Sequence, residues 1–94
     1  MTKADLINEI ALATGYDKMT VGVVVESLMA NVKKSLNQGE NVYLRGFGSF
    51  ITKTRKAKIA RNISKETSVA VPAHKIVAFK AGAEFADEVR KLAV

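Results

Sequence analysis

NVYLRGFGSF, residues 41–50, is where the hydrophobic period of the chain changes. Val42 and Leu44 alternate with polar neighbours, GFG follows at 46–48, and Phe50 leads into a basic run. Period-two alternation marks a strand with one buried face, and glycines on both sides of Phe47 permit a tight reversal with its ring turned inward. The stretch therefore reads as a hairpin of two strands. GFG contains GxG, but no third glycine follows and no helix starts there, which argues against a dinucleotide loop.

Upstream of this switch the period is helical. Thr2 is an N-cap candidate with Asp5 in a capping-box position, and Leu6, Ile7, Ile10 and Ala11 form an apolar stripe that stops at Gly15. Asp17 is a second N-cap candidate, before Val21, Val24, Val25, Leu28, Met29, Val32 and Leu36, which recur at helical spacing until Gly39. VGVVV at 21–25 also suits a strand, yet the stripe continues for several turns with a stop at each end, so a helix is expected. The first helix is too short to cover so wide an apolar arc, which points to burial against another copy of the chain. Met19 and Met29 read as core fillers. Downstream, SVAVPAHKIVAF at 68–79 reads as a returning strand, with Pro72 confined to an edge because it lacks an N–H. AGAEFADEVRKLAV at 81–94 reads as a closing helix with Phe85, Val89 and Leu92 on its stripe. The fold class is α+β in one domain.

Charge is concentrated in one third of the 94 residues. The net formal charge is +6, but residues 1–50 sum to zero, 51–80 to +7 and 81–94 to −1. Eight basic residues against Glu66 alone, over thirty residues, make a field that attracts a polyanion, most commonly nucleic acid. Residues 51–72 would run out from the body and back, turning near 63–65, with Lys53, Arg55, Lys56, Lys58 and Arg61 on the outgoing side. A two-stranded ribbon with so few apolar partners is marginal alone, and suits an arm that nucleic acid orders.

Other functions find little support. With no cysteine and one histidine, a disulfide framework, a zinc cluster and a thiol nucleophile are all disfavoured. His74 reads as a half-exposed structural residue, Asn62-Ile63-Ser64 as a chance glycosylation pattern, and Glu84, Asp87 and Glu88 as acids suited to the start of a helix. No cofactor, small-molecule substrate, membrane span or catalytic constellation is expected. MTKADLINEIALATG does not read as a signal peptide, and the expected location is cytoplasmic.

RGFGSF at 45–50, ARN at 60–62 and AFKAG at 78–82 resemble the HU and integration host factor family of bacterial DNA-bending proteins, and the similarity runs from Met1 to the last helix. The resemblance implies an intertwined dimer with a helical body, a three-stranded antiparallel saddle, protruding β-ribbon arms that clasp the minor groove, and a C-terminal helix. Residues 1–40 would form the helical dimerisation part, 41–82 the strands with an arm at about 53–75, and 83–94 the last helix.

It also assigns residues. Lys53, Arg55, Lys58, Arg61 and Lys75 fall at basic arm positions, with Lys56 and Lys65 in the same run, and Asn62 completes the arginine–asparagine pair before the tip. Lys3 and Lys80 match basic body positions, and Arg45, Gly46 and Gly48 lie where the saddle approaches phosphate. Phe47, Phe50 and Phe79 match core aromatics. Ile63 stands where the family usually has an intercalating proline, and Ala60 and Glu66 where it usually has glycine, so binding is expected to persist with altered kinking. Ala81 replaces the usual proline and Ala83 a frequent lysine, which leaves a phosphate contact beside Gly82 to helix N-terminal amides. The partners implied are double-stranded DNA, with distorted DNA and RNA as further ligands left open, and a second copy or another family member. The function implied is nucleoid-associated compaction and bending with little sequence preference. The alternatives are a site-selective bender like integration host factor and a basic dimer that grips acidic proteins.

Overall fold

Thr2 and Asp5 set the first helix through a reciprocal pair: the Asp5 amide donates to Thr2 Oγ1 at 3.2 Å and the Thr2 amide donates to Asp5 Oδ2 at 2.9 Å. The computed structural model describes residues 1–62 and 67–93, with side chains outside 60–69. In chain order its elements are α1 (Lys3–Thr14), α2 (Lys18–Asn37), β1 (Val42–Leu44), β2 (Gly48–Arg55), β3 (Lys58–Asn62), β4 (Thr67–Val71), β5 (His74–Ala81) and α3 (Ala83–Arg90). They divide into two units, Met1–Ser35 and Leu36–Val94.

In the first unit, Gly15 ends α1 in the left-handed conformation (φ 81°), its N–H donating to the Ala11 carbonyl at 2.9 Å. Asp17 caps α2, accepting from the Thr20 amide at 3.1 Å and the Thr20 hydroxyl at 2.6 Å. VGVVV is helical, as the long stripe requires. Val21 is the one buried apolar residue among those described, while Leu6 is 46% exposed, Val24 62% and Leu28 53% in the single chain. Met19, expected to fill the core, is 81% exposed, because it lies in the first turn of α2 off the arc of Val21, Val25 and Val32.

The second unit holds an antiparallel sheet of order β1-β2-β5. Val42 pairs with Phe50 and Leu44 with Gly48 across a turn closed by the Phe47 amide donating to the Leu44 carbonyl at 3.0 Å. Gly46 has φ 84°, the left-handed value that the third position of a type II turn calls for. Four aromatic rings form one cluster: Phe47 lies 5.0 Å from Phe79 and 5.6 Å from Phe85, and Phe50 lies 5.1 Å from Phe79. Phe50 and Phe85 are half-buried in this cluster, whereas Phe47 and Phe79, expected in the core, are 45% and 42% exposed in the single chain, because the rings cover one another and little else lies over that face. α3 closes the unit, and the Gly82 amide donates to the Phe47 carbonyl at 2.8 Å.

Two boundaries differ from expectation. The returning strand is broken at Pro72–Ala73, and the break has a counterpart at Lys56–Ala57 on the outgoing side, so β3 and β4 pair as a separate two-stranded sheet. Pro72 offers no N–H to continue the ladder. The last helix runs Ala83–Arg90 and not 81–94, because Ala81 is taken up in β5 opposite Gly48 and Gly82 is the N-cap.

Candidate nucleic-acid interface

Register decides which basic side chains share a face. In β2 and β5, Ser49 stands opposite Lys80, Ile51 opposite Ala78, Lys53 opposite Ile76 and Arg55 opposite His74. Directly opposed residues point to the same side of a sheet, and so do residues two apart along a strand. Lys53, Arg55 and Lys80 therefore line one face. Tyr43, opposite Ser49 in β1, joins them. The other face carries Phe50 and Phe79, whose cluster with Phe47 and Phe85 occupies it. Lys53, Arg55 and Lys80 are exposed, as separate cations must be to stay hydrated without partners.

Beyond the break, Lys56 is exposed in the linking pair, and Lys58, exposed and opposite Val71, begins the second ladder. Arg61 pairs with Ser68 and Asn62 with Thr67 in the backbone register. Ile63 and Lys65 lie outside the described residues. From Asn41 to Lys65 the chain has no acid at all, so nothing within this run offsets its field.

Not every expected residue joins this face. Lys75 stands opposite Thr54, on the side that bears Phe50 and Phe79 farther along the sheet. Lys3 belongs to the first unit and is paired with Glu26, an exposed ion pair. Arg45 and Gly46 form the β1–β2 turn and line a small cleft with Gly82, Ala83 and Glu84. Helix N-terminal amides were expected to hold phosphate beside Gly82. The Gly82 amide donates to the Phe47 carbonyl, which leaves the first amides of α3 for such a contact, and Glu84 lines the same cleft. Gly48 has a spatial role: a Cβ there would lie 2.5 Å from the Lys80 carbonyl oxygen and 2.6 Å from Phe79 Cζ. Glycine lets β2 and β5 approach, and so fixes the register that aligns Lys53, Arg55 and Lys80. Sequence reasoning left Tyr43 unassigned, although alternation with Val42 and Leu44 puts it on the opposite side from the core.

Known proteins resemble this chain in sequence and fold. The family model described as "Bacterial DNA-binding protein" matches residues 1–90. The DNA-binding protein HU of Thermus thermophilus is 38% identical over 91 residues, covering 97% of this chain and 94% of that protein. HU of Staphylococcus aureus is 38% identical over 90 residues, covering 96% and 100%. The HU chain of an Anabaena HU–DNA cocrystal structure superposes with a TM-score of 0.90 at 29% identity, covering 98% of this chain and all of that one. The family is one of structural DNA-binding proteins, not of enzymes. A sheet with one aromatic and one basic face, a jointed ribbon, and HU relatives aligned along nearly the whole length place the chain in the HU family of bacterial DNA-binding proteins.

Proposed function

We propose that this HU-family protein acts as a homodimer that clasps duplex DNA with two ribbon arms, bending and compacting it in the nucleoid with little sequence preference. The observation that carries this reading is the sheet face on which Lys53, Arg55 and Lys80 align, with Lys56 and Lys58 exposed farther along the same acid-free run. Spaced cations on a sheet face neutralise phosphates, and an arm in the minor groove meets base edges that distinguish little more than A·T from G·C. Residues 1–40 serve as the dimerisation part in this reading, and 53–75 as the arm. Arg61, Asn62 and Lys65 extend its contacts toward the tip, and Ile63 acts as an aliphatic wedge between base steps. Arg45, Gly46 and Gly48 shape the saddle, and Lys3 and Lys75 contribute from outside the sheet's basic face.

Binding to linear, nicked and four-way-junction DNA, titrated against salt for the wild type and Ile63→Pro, tests the reading. With six to ten phosphates neutralised, log K should fall against log salt with a slope between about −5 and −9. Tighter binding to the nicked and junction forms is expected for a clasping arm, with a larger bend for Ile63→Pro. A slope near zero would sink the electrostatic clasp. Equal affinity for all three forms would leave coating by charge in place of bending.

A further inference from the structure

Tyr43 is 72% exposed on the basic face of the sheet. Its hydroxyl is held in a directed chain of hydrogen bonds. The Thr52 amide donates to Asn41 Oδ1 at 3.2 Å, which fixes the Asn41 carboxamide with its oxygen toward the backbone. The Asn41 Nδ2 group then donates to the Tyr43 hydroxyl oxygen at 3.3 Å. With its oxygen accepting from Asn41, the hydroxyl keeps its own proton free for an outside acceptor. Among the described residues no acceptor takes it. Asn41, Tyr43, Ser49, Ile51 and Lys80 line one open cleft, so Tyr43 and Lys80 border the same space.

We propose that Tyr43 is a DNA-contacting residue of the saddle: its hydroxyl, oriented by Asn41, donates a hydrogen bond to a backbone phosphate held beside Lys80. This rests on the DNA-binding reading above and deepens it. The occupant is an anion because the cleft offers a neutral donor and a cation without a carboxylate, in contrast to the Arg45 cleft with its Glu84. A phosphodiester group presents acceptor oxygens to a neutral donor and a cation alike, and a hydrogen bond to a charged acceptor is among the stronger kinds. Because the donor is neutral, it displaces no counterion.

The test is a salt titration of binding to a linear duplex by the wild-type dimer and Tyr43→Phe, with thermal melting of both free proteins. Tyr43→Phe keeps the ring and removes the hydroxyl, both its donor and the oxygen that accepts from the exposed Asn41 side chain, and the melting temperature reports any structural effect of the latter. The expected result is an affinity about tenfold lower at every salt concentration, with an unchanged salt slope and an unchanged melting temperature. Wild-type affinity in Tyr43→Phe overturns the proposal, as does a loss of affinity that accompanies a fall in melting temperature. A wild type that binds without salt dependence would instead remove the DNA-binding reading beneath it, and the wild-type arm alone reports that.

Discussion

Gly22 and Gly48 look alike in the sequence, yet their surroundings give substitution opposite signs. A Cβ at Gly22 would meet only Ile7 Cδ1 at 3.9 Å, an ordinary contact, so Gly22→Ala should raise stability by about 1 kcal/mol through helix propensity. Gly48→Ala would drive a methyl group into the Lys80 carbonyl and the Phe79 ring and should cost about 3 kcal/mol, with denaturant unfolding of both variants as the check. Asp17 supplies a pH effect. Hydrogen bonds from the Thr20 side chain and then its amide hold the carboxyl below its ordinary value of 3.8. A depressed folded-state pKa gives stability that is present above the unfolded value and lost as pH falls through the folded one. The advantage of the wild type over Asp17→Ala should therefore be full at neutral pH and shrink in acid below about pH 4, as read from acid titrations of helical circular dichroism. Thr2, Gly15, Asp17 and Gly39 were legible because their partners lie within a few residues. Gly48 was not legible in this sense, since its constraint comes from a strand far along the chain.

The elements carry the same lesson with a different cause. A helix announces itself through periodicity, and α1 and α2 end where glycines stop the stripe. The ribbon was read as two long strands, because alternation across 68–79 persists through Pro72 even though the ladder does not. The matching break at Lys56–Ala57 has no signal of its own, since its cause is a missing donor on the opposite strand. This joint separates the basic residues into Lys53, Arg55 and Lys80 on the saddle and Lys58 and Arg61 on the ribbon. Arg55 and Lys58 stand on either side of it. Arg55→Ala and Lys58→Ala, each present twice in a dimer, should weaken binding on all duplex sequences alike and make the salt slope shallower by up to about 2. A loss confined to particular sequences would show base readout in place of phosphate contact.

At the scale of the whole molecule, the single chain leaves its apolar surface unfinished. Val21 alone is buried among the described apolar residues, whereas Leu6, Ile10, Val24, Leu28 and Met29 are all more than a third exposed. Fully burying a side chain of this kind contributes about 1.5–3 kcal/mol, so leaving five of them partly wet forfeits several kcal/mol, a sum comparable with the ~5–15 kcal/mol that a small domain has in reserve. The sequence made this deficit visible in the width of the α2 stripe, but a second copy is needed to supply the opposing surface, and only α1 is available within the first unit. Folding and association then become one equilibrium, and the melting temperature should rise with protein concentration. Leu28, 53% exposed at the middle of α2, is the position to probe. Leu28→Asp would bury a carboxylate in each protomer with no partner to balance it, a cost that association cannot meet. Sedimentation equilibrium should find the wild type dimeric and Leu28→Asp monomeric and largely unfolded. A Leu28→Asp chain that stays folded as a monomer would show that the helical unit completes its own core, and the two arms would then lose the common body that makes them a clasp.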